Sequence, residues 1–161
     1  MINHDVVYQE HKNAEHIVHK YCHNVDPSLA VDKTYTCVML FDASGNWSKE
    51  SDMYPNTVKE IRAVFGKHLF QAFLVTMIGP KFMAPHRNTD TNGYLRYHLG
   101  VDVHQQCDSQ LKTQGRVHKW AQGKWFVFDT TKTHSVYKSS DYKRTILAVD
   151  FDAAAAEALL A

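Results

Sequence analysis

The sequence predicts a mainly β protein, a sandwich or barrel, with one or two helices ahead of it. Three observations carry this. Helical spacing of apolar residues is confined to the first third of the chain. From residue 69 the apolar period changes to two. The second half is then cut into many short segments by Gly79-Pro80, Gly115 and Gly123. A chain of 161 residues fits one domain, with a helical part over about 1–66 and a β core over about 67–152.

The elements follow in order. Residues 5–23 carry Val6, Val7, Ala14, Ile17, Val18 and Tyr21, which reads as an irregular amphipathic helix. Residues 34–41 (TYTCVMLF) read as a strand closed by Asp42-Ala43-Ser44-Gly45. Pro55 suits the first turn of a helix, Val58, Ile61, Val64 and Phe65 give it an apolar face, and Gly66 ends it. Residues 69–78 are strand-like, and the backbone must turn at Gly79-Pro80 and again at Ala84-Pro85-His86. Residues 94–103 alternate. Leu95, Tyr97, Leu99, Val101 and Val103 share one face; Tyr94, Arg96, His98, Gly100 and Asp102 share the other. Further strands are expected at 109–113, 116–121, 124–129, 133–137 and 144–151, and the tail DAAAAEALLA reads as a short helix or frayed end.

Composition excludes several classes. Net charge is +1 and the basic residues are dispersed, which argues against a nucleic-acid or membrane-surface binder. No apolar run is long enough to span a bilayer, and the polar start lacks the apolar core of a signal peptide. Cys22, Cys37 and Cys107 at unrelated spacings suggest reduced thiols, and with them a cytoplasmic setting. The sequence does not specify an oligomeric state. Histidine is abundant, at 11 residues, and is the commonest side-chain metal ligand.

Four positions stand out: His86, Arg96-x-His98, His134 and Arg144. Non-heme iron takes imidazole and carboxylate ligands on one face and leaves positions open for co-substrate and oxygen. His86 follows a proline at a strand end, and His134 follows a polar loop; in a jelly roll their strands can face each other across the mouth. Arg144 opens an apolar strand, where an unpaired guanidinium is costly. Its partner is either a ligand carboxylate or a structural acid, Asp150 or Asp141. A guanidinium forks onto a carboxylate with two parallel hydrogen bonds, which suits a dicarboxylate such as 2-oxoglutarate. Arg96 and His98 share a strand face and could hold a second carboxylate near the metal.

The matching text is Pro85-His86, then Leu95-Arg96-Tyr97-His98-Leu99-Gly100, then Trp120-x-x-Gly123-Lys124-x-x-x-Phe128-Asp129, His134-x-Val136 and Arg144. In this order it resembles the aspartyl/asparaginyl β-hydroxylases, including the related bacterial lipid A hydroxylases, over roughly residues 53–152. The resemblance implies a double-stranded β-helix, a jelly roll of the cupin type. It implies an Fe(II)- and 2-oxoglutarate-dependent dioxygenase that uses molecular oxygen to hydroxylate a peptide Asp or Asn side chain or a small amino-acid-like molecule. His86 and His134 would be the iron ligands. Arg144 would bind the C5 carboxylate, accompanied by the Thr76 hydroxyl, and Arg96 and His98 would sit beside the co-substrate or the substrate carboxylate.

Two residues depart from the family text. Asn88 stands where many enzymes of this fold have the aspartate of His-x-Asp, so the third metal position falls to the Asn88 amide oxygen or to water; the spacing of Asp90 is wrong for it. Tyr94 stands where peptide-hydroxylating members carry a second arginine. Asn88 also motivates a competing class, a cupin-like metal- or ligand-binding domain without catalysis. A metal hydrolase or isomerase on the same fold is a third reading, one with no need for Arg144.

Other features have plainer readings. His16, His19 and His23, with Cys22 nearby, read as a solvated helix face, with a surface zinc site as the alternative. Asp129 is expected to form a turn or to orient a ligand. Trp120 and Trp125 are expected to pack the core or rim of the sheet, and Lys119, Lys124, Lys132, Lys138 and Lys143 to protect strand edges.

Overall fold

The computed structural model describes residues 1–18 and 34–161. Its strands form two antiparallel sheets. The larger contains β1 (Tyr35–Phe41), β2 (Leu69–Met77), β9 (Arg144–Asp152), β4 (Tyr94–Val103) and β7 (Trp125–Phe128), in that order across the sheet. The smaller contains β3 (Lys81–His86), β8 (His134–Lys138), β5 (Ser109–Thr113) and β6 (Arg116–Lys119). Apart from the β1–β2 and β5–β6 pairs, each strand is followed by one in the other sheet, which is the double-stranded β-helix expected.

Two helices cover the outer face of the large sheet. Helix α1 (His4–Val18) turns Val7, His11 and Ala14 inward, a one-sided stripe. Helix α2 (Pro55–Phe65) starts at Pro55 and ends where Gly66 adopts φ +48°. The Glu10 carboxylate accepts from the Asn56 and Thr57 amides at 2.8 Å each, so α1 satisfies the open N-terminus of α2. Beneath them Val38, Leu74, Leu99 and Leu147 join Ile61 and Phe65 in one core. A last short helix, α3 (Ala156–Leu160), follows a turn capped by the Asp152 carboxylate.

The alternation predicted in β4 holds as far as Gly100; the register then shifts, and Asp102, expected on the face of Arg96 and His98, pairs instead with Lys12 of α1. Tyr97, Leu99 and Val101 enter the outer core, while Arg96 and His98 face the space between the sheets. Gly100 is needed on that strand because a Cβ there would lie 2.1 Å from the Ala121 carbonyl oxygen. The crossing 121–124 turn hydrogen-bonds to both its N–H and its C=O. The β5–β6 hairpin turns through Gln114 and Gly115, both at positive φ.

Several expectations need correction. Residues 84–86 are strand, not turn: β3 runs to His86 with an irregularity between Met83 and His86. Pro85 is tolerated there because β3 is an edge strand. Lys138 does not guard an edge. It is 1% exposed, and its ammonium donates to the carbonyls of Gly79 (2.7 Å) and Ser140. Lys143 pairs with Glu15. Cys37 and Cys107 are buried, and no disulfide joins them. The predicted first helix is described only to residue 18; Cys22, His19 and His23 lie outside the described residues.

Candidate active site

The inner face of the large sheet and the small sheet enclose a cavity of about 270 Å3. Met39, Phe73, Leu111, Val136 and Ile146 give it an apolar wall. His86, Asn88, Arg96, His98, His134 and Arg144 bring polar atoms into it. Five of the sequence-predicted residues, and Asn88, therefore meet in one place.

His86 and His134 are register partners on the paired strands β3 and β8, with ring centroids 4.3 Å apart. They are neighbours in one sheet, not strands facing across the mouth as the sequence suggested. Each Nδ1 lies against a backbone carbonyl two residues earlier: Ala84 O at 2.7 Å for His86 and Lys132 O at 2.8 Å for His134. A carbonyl oxygen only accepts, so each neutral ring carries its proton on Nδ1 and its lone pair on Nε2. Metal-binding imidazoles are commonly fixed in this way. Burial, partly offset by the bond to Lys132, holds the His134 pKa below the ordinary value and keeps the ring unprotonated; the neighbouring His86 adds to this. Asn88 Oδ1 is buried with no hydrogen-bond partner, while the Asn88 backbone N–H is held by the Thr130 carbonyl. An imidazole pair with free Nε2 lone pairs beside an orphaned amide oxygen fits a divalent metal of the iron type.

Arg144 opens β9 and is 2% exposed. Its guanidinium lies over the Trp120 ring at 4.0 Å, and Nη1 donates to Ser109 Oγ at 3.1 Å. Its Nε has no partner, and no carboxylate pairs with it among the described residues. Burial lowers its pKa to about 10, so it remains cationic near neutrality. The structural-acid alternatives fail: Asp150 is occupied elsewhere, and Asp141 makes no ion pair with Arg144. A buried, uncompensated guanidinium facing a cavity is a site for an anion.

His98 is also buried. Its Nδ1 accepts from Trp120 Nε1 at 3.3 Å, so Nε2 carries the proton and can donate. Burial first, then the charge of Arg96, pushes its pKa well down. Trp120 thus supports both Arg144 and His98; the sequence reading gave it only a packing role.

Two sequence assignments change. Thr76 does not line the cavity; its hydroxyl shares a hydrogen bond of 2.8 Å with Thr145 on the far face of the sheet. Strand alternation places Val75 and Met77 inward instead. The hydroxyl beside Arg144 belongs to Ser109, on the other sheet. Arg96 is not free to hold a carboxylate alone. Its Nε and Nη2 donate to Asp150 at 2.6 and 2.7 Å, and Gln71 Nε2 donates to the same carboxylate. Register explains the row, because Gln71, Asp150 and Arg96 are cross-strand partners on β2, β9 and β4. The even positions Arg144, Ile146, Ala148 and Asp150 share a strand face, and that was the signal available for Asp150. Asp129 is a turn-former, accepting from the Thr131 amide and hydroxyl. Tyr94 stacks on Phe70 with centroids 4.0 Å apart. A separate group, His11, Glu15 and Asp102, has ligand atoms within 4.8 Å of one another, but Lys12 and Lys143 already engage its carboxylates and none of the three lines the cavity.

Comparison with known proteins bears on the fold and the family. An ornithine lipid ester-linked acyl 2-hydroxylase of Rhizobium tropici is 32% identical over 98 residues, covering 60% of this chain and 34% of that protein. The chain thus spans about a third of the length of that relative. A Pseudomonas putida prolyl-4-hydroxylase has a TM-score of 0.61 at 13% identity, over 94% of this chain and 88% of that one. A DMSP lyase of Ruegeria pomeroyi has a TM-score of 0.60 at 10% identity, over 91% and 64%. Identities this low speak for the fold alone. The model of the aspartyl/asparaginyl beta-hydroxylase family matches residues 3–154, nearly the whole chain, and the protein belongs to that family.

Proposed function

We propose that the protein is an Fe(II)- and 2-oxoglutarate-dependent dioxygenase that hydroxylates an unactivated C–H bond. The observation that carries the reading is the buried, uncompensated Arg144 in the same cavity as two histidines with free Nε2 lone pairs. A hydrolase or isomerase gives no reason for that cation. Family membership and the hydroxylase activity in the name of the Rhizobium tropici relative support the same class.

In this reading His86 and His134 would hold the iron through Nε2, and Asn88 would contribute its amide oxygen or leave the place to water. The iron and the keto acid together supply the oxidising chemistry, with succinate and carbon dioxide as by-products. The chain's own work is binding and shielding. Arg144 and Ser109 hold the distal carboxylate of 2-oxoglutarate. His98 would donate from Nε2 to an acceptor in the same cavity. The Trp120, Phe126 and Phe128 rings around His98 exclude water from that donor.

The substrate is a peptide Asp or Asn side chain, a small amino-acid-like molecule or, by the relative's name, an ester-linked acyl group. Succinate release under air, dependent on Fe(II), tests the activity. His134→Ala should abolish both that release and the visible charge-transfer band that anaerobic Fe(II) gives with 2-oxoglutarate; a full-strength band in the variant refutes the ligand assignment. The second reading, a binding domain without catalysis, rests on Asn88. It wins if the band forms but no candidate substrate raises succinate release above the uncoupled rate.

A further inference from the structure

We propose that Asp150 turns Arg96 into a receptor for an uncharged carbonyl, so that the substrate presents an ester or amide to this end of the cavity and not a free carboxylate. The proposal rests on the reading above, in which Arg144 holds the co-substrate and Arg96 is left to the substrate.

Two arginines line one cavity in opposite electrical states. Arg144 has a hydroxyl for company and no acid. Arg96 is neutralised by a carboxylate that is 0% exposed and held from both sides by Gln71 and Arg96 itself. The two arginines enter from different points of the sheet, because Arg144 and Asp150 are six residues apart on β9, about 20 Å of strand, and His98 lies within reach of both charges. Asp90 adds to the contrast. It lines the same cavity and its charge reaches Arg96. The Arg96 guanidinium is therefore faced by two carboxylates.

A guanidinium has five N–H donors, and Asp150 takes two of Arg96's. The remaining donors can serve an acceptor. An incoming carboxylate would meet Asp150 and Asp90 and gain no net attraction. A carbonyl oxygen accepts the same N–H bonds without that repulsion, and unpaired charge is a strong means of rejecting the wrong ligand. Phe73, 5.1 Å beneath the Arg96 guanidinium, and Met39 leave the surroundings apolar, as an acyl or amide segment requires.

The test uses an isosteric pair of probes, hexanamide and hexanoate, which differ in charge at the carbonyl end. The full chain, loaded with redox-silent Zn(II) and 2-oxoglutarate, is titrated with each by ligand-observed NMR. The native protein should bind hexanamide more tightly. Asp150→Asn should shift the preference toward hexanoate by about tenfold or more, the scale of one charge-assisted contact. Asp90→Asn should shift it the same way by less; Asp90 is exposed, so this variant keeps the test available if Asp150→Asn does not fold. A native preference for hexanoate overturns the proposal, as does one preference common to all three proteins, or binding of neither probe by any of them. Binding of 2-oxoglutarate is read separately, and the probe titrations are repeated without it. Loss of 2-oxoglutarate binding would remove the oxygenase reading, while the charge preference would still stand or fall on its own.

Discussion

The two faces of the large sheet share the same strands and do different work. On β2, β9 and β4 the outward residues Leu74, Leu147 and Leu99 close a core against α1 and α2. The inward residues of the same strands include Gln71, Asp150, Arg144, Arg96 and His98. Both faces hold buried polar atoms without partners, but of different kinds. On the helix side they are neutral hydroxyls, those of Tyr54, Tyr97 and Thr57. On the cavity side they include the Nε of a cation and an amide oxygen. A neutral orphan costs stability; a charged one costs more, and where it faces a cavity it is available to a ligand. Strand alternation thus separates stability from chemistry one residue at a time.

The largest effects should separate the two faces most clearly. Leu147→Ala removes a fully buried side chain from the helix-side core and should cost about 2–5 kcal/mol of stability. Its folded fraction should bind 2-oxoglutarate as the native protein does; a loss of affinity matching the loss of stability would mean that the faces are not independent. Arg144→Met should do the reverse. It should weaken 2-oxoglutarate binding by about 2–5 kcal/mol, as loss of a buried charge partner does. It should leave the Tm of the ligand-free protein unchanged or higher, because a buried unpaired cation has been replaced by an apolar chain. A clear fall in that Tm would show that the contacts of Arg144 with Ser109 and Trp120 outweigh the cost of burying the charge.

Acid should attack the cavity face first. His98 titrates near 6.5 when unfolded, and burial, with Arg96 nearby, depresses its pKa in the fold. Between the depressed value and 6.5 the unfolded chain binds a proton that the folded chain does not, so stability rises with pH across this window. The contribution is complete above 6.5 and is lost as pH falls below it. His134, also depressed, acts in the same direction. Chemical denaturation of the ligand-free protein at a series of pH values checks this; equal stability at pH 5 and pH 7 would contradict it.

Much of this arrangement was legible in the sequence because it rests on local rules. Period two gave β4 and its two faces as far as Gly100, Pro55 and Gly66 bracketed α2, and the motif order picked out His86, His134 and Arg144. What was missed depends on pairing between strands distant in sequence. No local pattern says that β3 and β8 are neighbours, that Asp150 lies opposite Arg96, or that Ser109 comes from the other sheet to meet Arg144. The strand at residues 81–86 was hidden by Pro85, which reads as a turn unless the strand is known to be an edge.

The smallest effect tests the finest claim, that the hydroxyl near Arg144 is that of Ser109 and not Thr76. One residue of register decides this, since a shift of one reverses the face of every side chain on β2. Thr76→Val loses one neutral hydrogen bond to Thr145 and should cost about 0.5–1.5 kcal/mol of stability, with no change in 2-oxoglutarate affinity. Ser109→Ala should weaken 2-oxoglutarate by about fivefold to tenfold, because it removes the only hydrogen-bond partner of Arg144 among the described residues. If Thr76→Val impairs 2-oxoglutarate binding and Ser109→Ala does not, β2 is one residue out of the register described, and with it the inward row of Gln71, Phe73 and Val75 that forms this wall of the cavity.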